Sequence, residues 1–317
     1  MYILQKSLDT YLQSRLTVKF NINSSPRFTE YAQKVLETRK SVIAMDENLT
    51  GIYSVTLHNK SKTVSHQGLR IAVVGEFRSY ENEVYSQFFS RYYDIQPQGE
   101  ITSDIEAPFD FQNLKPPTAT YYGGALQAIY AIQFQIKKLS TFVVFEEQQF
   151  YVVGFDIKEQ SHVLRDEIGI PNLLHMEILF PHHRYEYDDE MVGKVYFILL
   201  KMKIISIQIS IVHQEYYEDE KIILRNENIL SNFEILDGCP VRGYGIPFRV
   251  FLKSCGMKWY LNFSGSKLMS RIIAKIHVQD STGERYSKIL KVNFVRCEPD
   301  YLSSPVPNEA GDLDNGI

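Results

Sequence analysis

The chain has 317 residues, which is long for one hydrophobic core and comfortable for two. Its formal net charge is −4 and its 34 Lys and Arg are spread along the sequence, so it carries no electrostatic footprint for nucleic acid. Three cysteines (Cys239, Cys255, Cys297), none in a CxxC pair, exclude a disulfide framework and give no support for zinc.

A reduced, cytosolic chain is the plain reading. The start, MYILQKSLDTYLQ, lacks the basic-then-apolar order of a signal peptide. No apolar run reaches the ~18 residues that a transmembrane helix needs. Asn-X-Ser/Thr triplets at Asn23, Asn48, Asn59 and Asn262 read as chance in a chain that is not secreted. The 21 Tyr and 19 Phe favour pleated, half-buried surfaces and so lean toward β structure.

Taken in chain order, the elements are mostly strands. Leu16, Val18, Phe20 and Ile22 alternate with polar residues. Residues 29–40 (TEYAQKVLETRK) fit a short helix or an irregular strand. His66-Gln67-Gly68 precedes a strand at Leu69–Gly75. Leu126, Ala128, Tyr130, Ile132, Phe134 and Ile136 share one face of a long strand, with Gln127, Gln133, Gln135 and Lys137 on a water-facing side. Residues 158–170 (KEQSHVLRDEIGI) are polar, break the rhythm and read as a linker. Ile205, Ile207, Ile209 and Ile211 then alternate with Ser206, Gln208 and Ser210. Ile272, Ala274, Ile276 and Val278 follow, then Leu290, Val292 and Phe294. Period 2 of this kind marks antiparallel strands with one face on a core. The tail from Glu298 has little to bury and reads as disordered.

A weak repeat runs through this series. Thr50-Gly51-Ile52-Tyr53-Ser54-Val55 is similar to Val192-Gly193-Lys194-Val195-Tyr196-Phe197, 142 positions later. Ala107-Pro108-Phe109-Asp110-Phe111 is similar to Ile246-Pro247-Phe248-Arg249-Val250, 139 positions later. Two matches in the same order and at nearly one offset predict two copies of one β-sandwich.

Chemistry is hard to find. Adjacent His182 and His183 point to opposite faces of an extended chain and read as loop residues. The acidic runs 186–190 (EYDDE) and 215–220 (EYYEDE) lack the alternating ligands and turn glycine of an EF-hand, so both read as solvated loops. Gly123-Gly124 lies outside any phosphate-binding context. No GxSxG or HExxH occurs. Arg165, Asp166 and Glu167 are candidates for burial at a junction, with a solvated linker preferred. These readings predict no catalytic residue, no metal site and no cofactor.

Residues 233–252 are more informative. Ile235 and Leu236 stand just before the turn Asp237-Gly238-Cys239-Pro240, and Pro247 opens or edges the next strand. Two consecutive strand residues cannot both face one core. One of the pair therefore needs other cover, which favours docking of another protein.

Five segments carry a resemblance: HQGLRIAVVGEF (66–77), LHMEILF (174–180), MVGKVYFILLKMKI (191–204), FEILDGCPVRG (233–243) and IPFRVFL (246–252). In this order they resemble the vacuolar protein sorting 26 family, the arrestin-like subunit of the retromer sorting complex. The likeness covers roughly residues 41–297. Before residue 40 the chain has a longer lead-in, and at 253–266 KSCGMKWYLNFSGS replaces a longer family loop.

The resemblance implies an all-β, arrestin-like fold of two antiparallel β-sandwich domains joined by a short linker, with a polar core between them. The domains would span 1–160 and 161–297, with 298–317 as the disordered tail. It implies a non-enzymatic adaptor in endosomal cargo sorting and retrograde transport, without cofactors. Its partners would be an α-helical solenoid subunit of the vacuolar protein sorting 35 type, sorting nexins and cytoplasmic tails of membrane cargo. It would be cytoplasmic and peripheral on endosomal membranes, held there by partners. The solenoid contact falls on Ile235, Leu236, Asp237 and Gly238. The sorting-nexin contact falls on Asp46 and Phe155, and cargo falls near Ser161–Leu174, where a strand edge could accept an extended peptide. The alternatives are another arrestin-like adaptor, of the retriever or receptor-binding kind, and a β-rich enzyme or lectin.

Overall fold

The structure is a computed structural model that describes residues 12, 14–34, 36–59, 63–138, 140–257 and 262–299. Of the start read for a leader, only Leu12 is described, and the tail from residue 300 lies outside the described residues. The first half contains β1 (Leu16–Ile22), β2 (Val42–Ala44), β3 (Leu49–Leu57), β4 (Val64–Arg78), β5 (Val84–Ile101), β6 (Ile105–Phe111), β7 (Tyr121–Tyr122), β8 (Gln127–Lys138) and β9 (Thr141–Val153). The second contains β10 (Leu164–Ile170), β11 (Leu174–Phe180), β12 (Arg184–Glu186), β13 (Glu190–Leu200), β14 (Ile204–Glu218), β15 (Ile223–Asp237), β16 (Gly245–Phe251), β17 (Phe263–Ser264), β18 (Leu268–Asp280), β19 (Arg285–Ile289) and β20 (Asn293–Val295).

Each half is two facing sheets. In the first, β1-β3-β6 faces β2-β9-β8-β4-β5 over a core that includes Leu49, Val55, Ile71, Tyr130 and Phe134. In the second, β10-β11-β13-β16 faces β15-β14-β18-β17 over Met176, Phe197, Ile209, Ala274 and Ile276. This is an all-β, arrestin-like fold. The parallel pair of Val42 with Tyr151 recurs as Arg184 with Asn293, each partner 142 positions later.

The repeat has a physical basis. Gly51 on β3 pairs with Phe109 on β6, and Gly193 on β13 pairs with Phe248 on β16. In each pair the phenyl ring occupies the space that a Cβ on the glycine would need. Pro108 and Pro247 each sit one residue before that ring. Both lie on edge strands, where a missing N–H is tolerated.

Four expectations change. The segment read as helix or irregular strand forms a helix over Pro26–Lys34 that starts earlier than the reading placed it. Pro26 at its first position is pre-set for helical φ, and Phe28 and Tyr31 are buried beneath it. The second face of β8 is not in water. Gln127, Ala131 and Gln133 on that face are buried, and the Gln133 amide donates to Glu147 at 2.8 Å. Arg78 also donates to both Glu147 oxygens, at 2.8 and 2.9 Å. The linker reading of 158–170 is also revised, because residues 164–170 form β10, the edge strand of its sheet. At the other end of this half, Glu298, read as the start of a disordered tail, pairs with Arg27 of the helix.

Candidate docking sites

Ile235–Gly238 closes β15 beside the start of β14, with Asp237 opposite Ser206. The far end of β14 carries Tyr217, whose ring meets Phe77 of the first half at 5.4 Å. Ser206 and Tyr217 stand eleven residues apart on β14, roughly 35 Å of strand. The apolar pair therefore lies at the tip of the second sandwich, away from the first.

A β-bulge explains the pair. Ile207 faces Leu236 and Gln208 faces Glu234, so Ile235 is the extra residue on its strand. Both Ile235 and Leu236 pack partly against the core of the second sandwich and both stay half-exposed. This corrects the argument that one of the two must face away, which assumed a regular strand. Ile205, read as core-facing, is instead turned outward at a second irregularity between Ile204 and Ser206.

The turn after the pair is closed by Gly238, whose φ of +103° suits glycine and whose N–H donates to Ile205 O at 2.7 Å. The chain then crosses to the opposite sheet. Gly243 N–H donates to Phe197 O at 3.0 Å, and Arg242 Nε donates to Ile198 O at 3.3 Å. This brings Val241 (61% exposed) and Tyr244 (69%) beside the exposed Ile198. Sequence reasoning missed these three residues. The available signal was an apolar and an aromatic side chain flanking a glycine, in VRGYG.

Asp46 and Phe155 come together in the first half, apart from that tip. They follow the neighbouring ends of the parallel strands β2 and β9, where Met45 N–H donates to Val153 O at 3.1 Å. Asp46 is exposed. Phe155 is half-buried under the helix, stacked on Phe28 at 5.9 Å and edge-on to Tyr31 at 5.5 Å.

A buried polar network joins the halves. Tyr121 Oη donates to Glu215 Oε1 at 2.7 Å and lies 3.0 Å from His213 Nε2. Ser270 Oγ is 3.0 Å from the same nitrogen, and Ala125 N–H donates to Glu215 Oε2 at 2.7 Å. Burial pushes the Glu215 carboxyl up, against the pull of Tyr121 and the Ala125 and Gly124 N–H groups. Burial lowers His213 to about 4. Glu215 was read as part of a solvated loop. It lies inside β14, 3% exposed, and the Gly123-Gly124 turn is its close neighbour.

Asp166 also departs from the solvated linker. Its side chain is fully buried, 2.7 Å from Lys288 Nζ on β19, and accepts the Lys291 N–H at 3.0 Å. Burial would raise its pKa, yet Lys288 and the N–H groups of Lys291 and Glu167 hold it below the ordinary value. Arg165 and Glu167 are exposed on the other face of β10. His183 Nδ1 accepts the His162 N–H at 3.2 Å, a loop role as read.

Residues 13–262 match the family model for vacuolar protein sorting-associated protein 26. The chain belongs to that family. Similar proteins include vacuolar protein sorting-associated protein 26 of Caenorhabditis elegans, 28% identical over 260 residues, which are 82% of this chain and 73% of the relative. The protein of the same name from Dictyostelium discoideum is 26% identical over 253 residues, 79% of this chain and 72% of the relative. Vacuolar protein sorting-associated protein 26B of Homo sapiens is 28% identical over 243 residues, 76% and 72%. Membership of the vacuolar protein sorting 26 family places the chain among protein-sorting components. The matched span contains Asp46, Phe155 and Ile235–Gly238 and ends before β18, whose long pairing with β14 makes it part of the same sandwich. No helix among the described residues is long and apolar enough to cross a membrane.

Proposed function

We propose that the chain is a non-enzymatic, retromer-type adaptor in endosomal cargo sorting and retrograde transport. The observation that carries this reading is the family match over residues 13–262, which includes an apolar, half-exposed tip at Ile235–Gly238. In this reading the tip receives the end of an α-helical solenoid subunit of the vacuolar protein sorting 35 type. Val241, Tyr244 and Ile198 widen the apolar surface beyond the pair, as a helical partner with several apolar anchors needs. Asp46 and Phe155 meet a sorting nexin, and the free edge of β10 accepts cargo tails by strand addition. The chain then works in the cytoplasm and reaches endosomal membranes through these partners. We take 1–160 and 161–297 as its two units.

Co-purification with the solenoid subunit tests the reading. Ile235→Asp with Leu236→Asn should abolish it, because a charge at a desolvated contact costs several kcal/mol, on the order of 2–5. Since both side chains also touch the core, Val241→Asp with Tyr244→Ser serves as a second variant on exposed positions. It should weaken binding by at least about tenfold with an unchanged melting temperature. Wild-type binding by both variants sinks the assignment.

A further inference from the structure

β10 pairs with β11 in a register that sets Glu167 directly opposite Glu177 and Gly169 opposite His175. Ile168 and Met176 between them face the core, so Glu167, His175 and Glu177 share the outer face of the sheet. Residues i and i+2 of one strand plus a cross-strand neighbour make a three-cornered set. The ligand atoms of the three lie within 4.8 Å of one another.

Among the described residues, this set is only weakly satisfied. Like charges directly opposite on a sheet repel. The guanidinium of Arg165 lies 3.8 Å from Glu177 and is largely exposed, a geometry that contributes little. His175 Nε2 is covered from solvent, has no hydrogen-bond partner among the described residues and sits 3.6 Å from Glu167 Oε2. A Cβ on Gly169, opposite the imidazole, would meet only Leu174 O, at 3.7 Å, so one side of the set is open. From the core side, Lys288 Nζ binds both Asp166 and the Glu167 carbonyl, which holds β10 in place behind the carboxylate.

We propose that Glu167, His175 and Glu177 bind a divalent transition metal, with zinc the ion they fit best. The two carboxylates bring the negative charge, and the imidazole selects a borderline metal over calcium or magnesium. Three protein ligands leave a fourth position, and the open side over Gly169 can supply it with water. Zinc–ligand bonds of about 2.0–2.2 Å need the three atoms closer than they stand. Rotation of the exposed Glu167 side chain brings its oxygen in. The ion would tie the edge strand β10 to β11. The sequence pattern hides such a site, because its ligands come from two strands and carry no motif spacing.

The test uses the full chain, free of any affinity tag, stripped with a chelator and titrated with zinc against a chromogenic chelator at neutral pH. One equivalent should bind. His175→Gln and Glu177→Gln should each weaken binding by more than about tenfold, and His183→Gln, whose ring stacks on His162 at 3.7 Å elsewhere in the second half, should not. Amide exchange in β10 should slow with zinc in the wild type and in His183→Gln, and not in the His175→Gln and Glu177→Gln variants. The proposal is overturned if the wild type binds no zinc, if it binds no better than these two variants, or if His183→Gln alone removes the binding. The first outcome would make the trio an imidazole–carboxylate contact and nothing more.

Discussion

The Phe248 ring lies where a side chain on Gly193 would have to go. The two residues are register partners on β13 and β16, and the first half repeats the arrangement with Phe109 over Gly51. The glycine lets an aromatic ring on an edge strand lie flat against its neighbour and seal the end of the sheet. Phe248 is nearly buried, so the ring has little room to retreat. Gly193→Ala should destabilise the protein by about 1–3 kcal/mol, the usual cost of overpacking. Urea midpoints measure it. Phe248→Leu should recover part of the loss in the Gly193→Ala background, and an unchanged midpoint for the single variant would refute the account.

Asp166 and Lys288 close the open side of the second sandwich, because one lies on β10 and the other on β19 of the facing sheet. The carboxyl is held below its ordinary pKa in the folded state. Its contribution is therefore complete above the unfolded value, about 3.9, and is lost as pH falls through the folded value. Lys288→Met removes the nearer of two lysines from a buried carboxylate, leaving Lys291 Nζ at 4.0 Å and two backbone N–H groups. With the lysine one-third exposed, the loss at pH 7 should be on the order of 2–3 kcal/mol, and it should shrink in strong acid as Asp166 protonates. Denaturant titrations at pH 7 and at a series of pH values below about 3.9 should show the loss decreasing as the pH falls.

His213 titrates in another window. Its folded pKa is lowered to about 4 by burial at the junction, against about 6.5 in the unfolded chain. Between these values the unfolded state binds the extra proton, so stability falls as pH drops from 6.5 to 4, by about 3 kcal/mol in all. His213→Gln, which keeps a polar side chain near Tyr121 and Ser270, should flatten the stability profile across that range. A profile with the same slope in wild type and variant would exclude His213 as the cause.

Strand positions were legible because burial of one face imposes period 2. Leu16–Ile22 alternates as that pattern requires, and the apolar faces of Leu126–Ile136 and Ile272–Val278 are buried as read, although the opposite face of Leu126–Ile136 is covered too. The repeat was legible because glycine and phenylalanine must meet at the same place in both halves. Bulges were not, since an extra residue leaves no mark on composition; Ile205 was read as core-facing for that reason, and the argument that Ile235 and Leu236 cannot both meet the core failed with it. The polar cores at Glu215 and Asp166 were also hidden. Their partners stand 94 and 122 residues away, and a carboxylate on a strand looks solvated until such a partner is in place.

By itself, then, the sequence determined an all-β chain of two similar halves, an apolar pair beside an Asp-Gly turn and membership of a protein-sorting family. These follow from local alternation, turn chemistry and residue order. Tertiary structure decided that Ile235 and Leu236 both touch the core yet stay half-exposed at a tip, that Phe155 lies under a helix, and that Glu167, His175 and Glu177 converge. Each depends on which strands pair and in what register, and that is settled by packing between segments far apart in the chain.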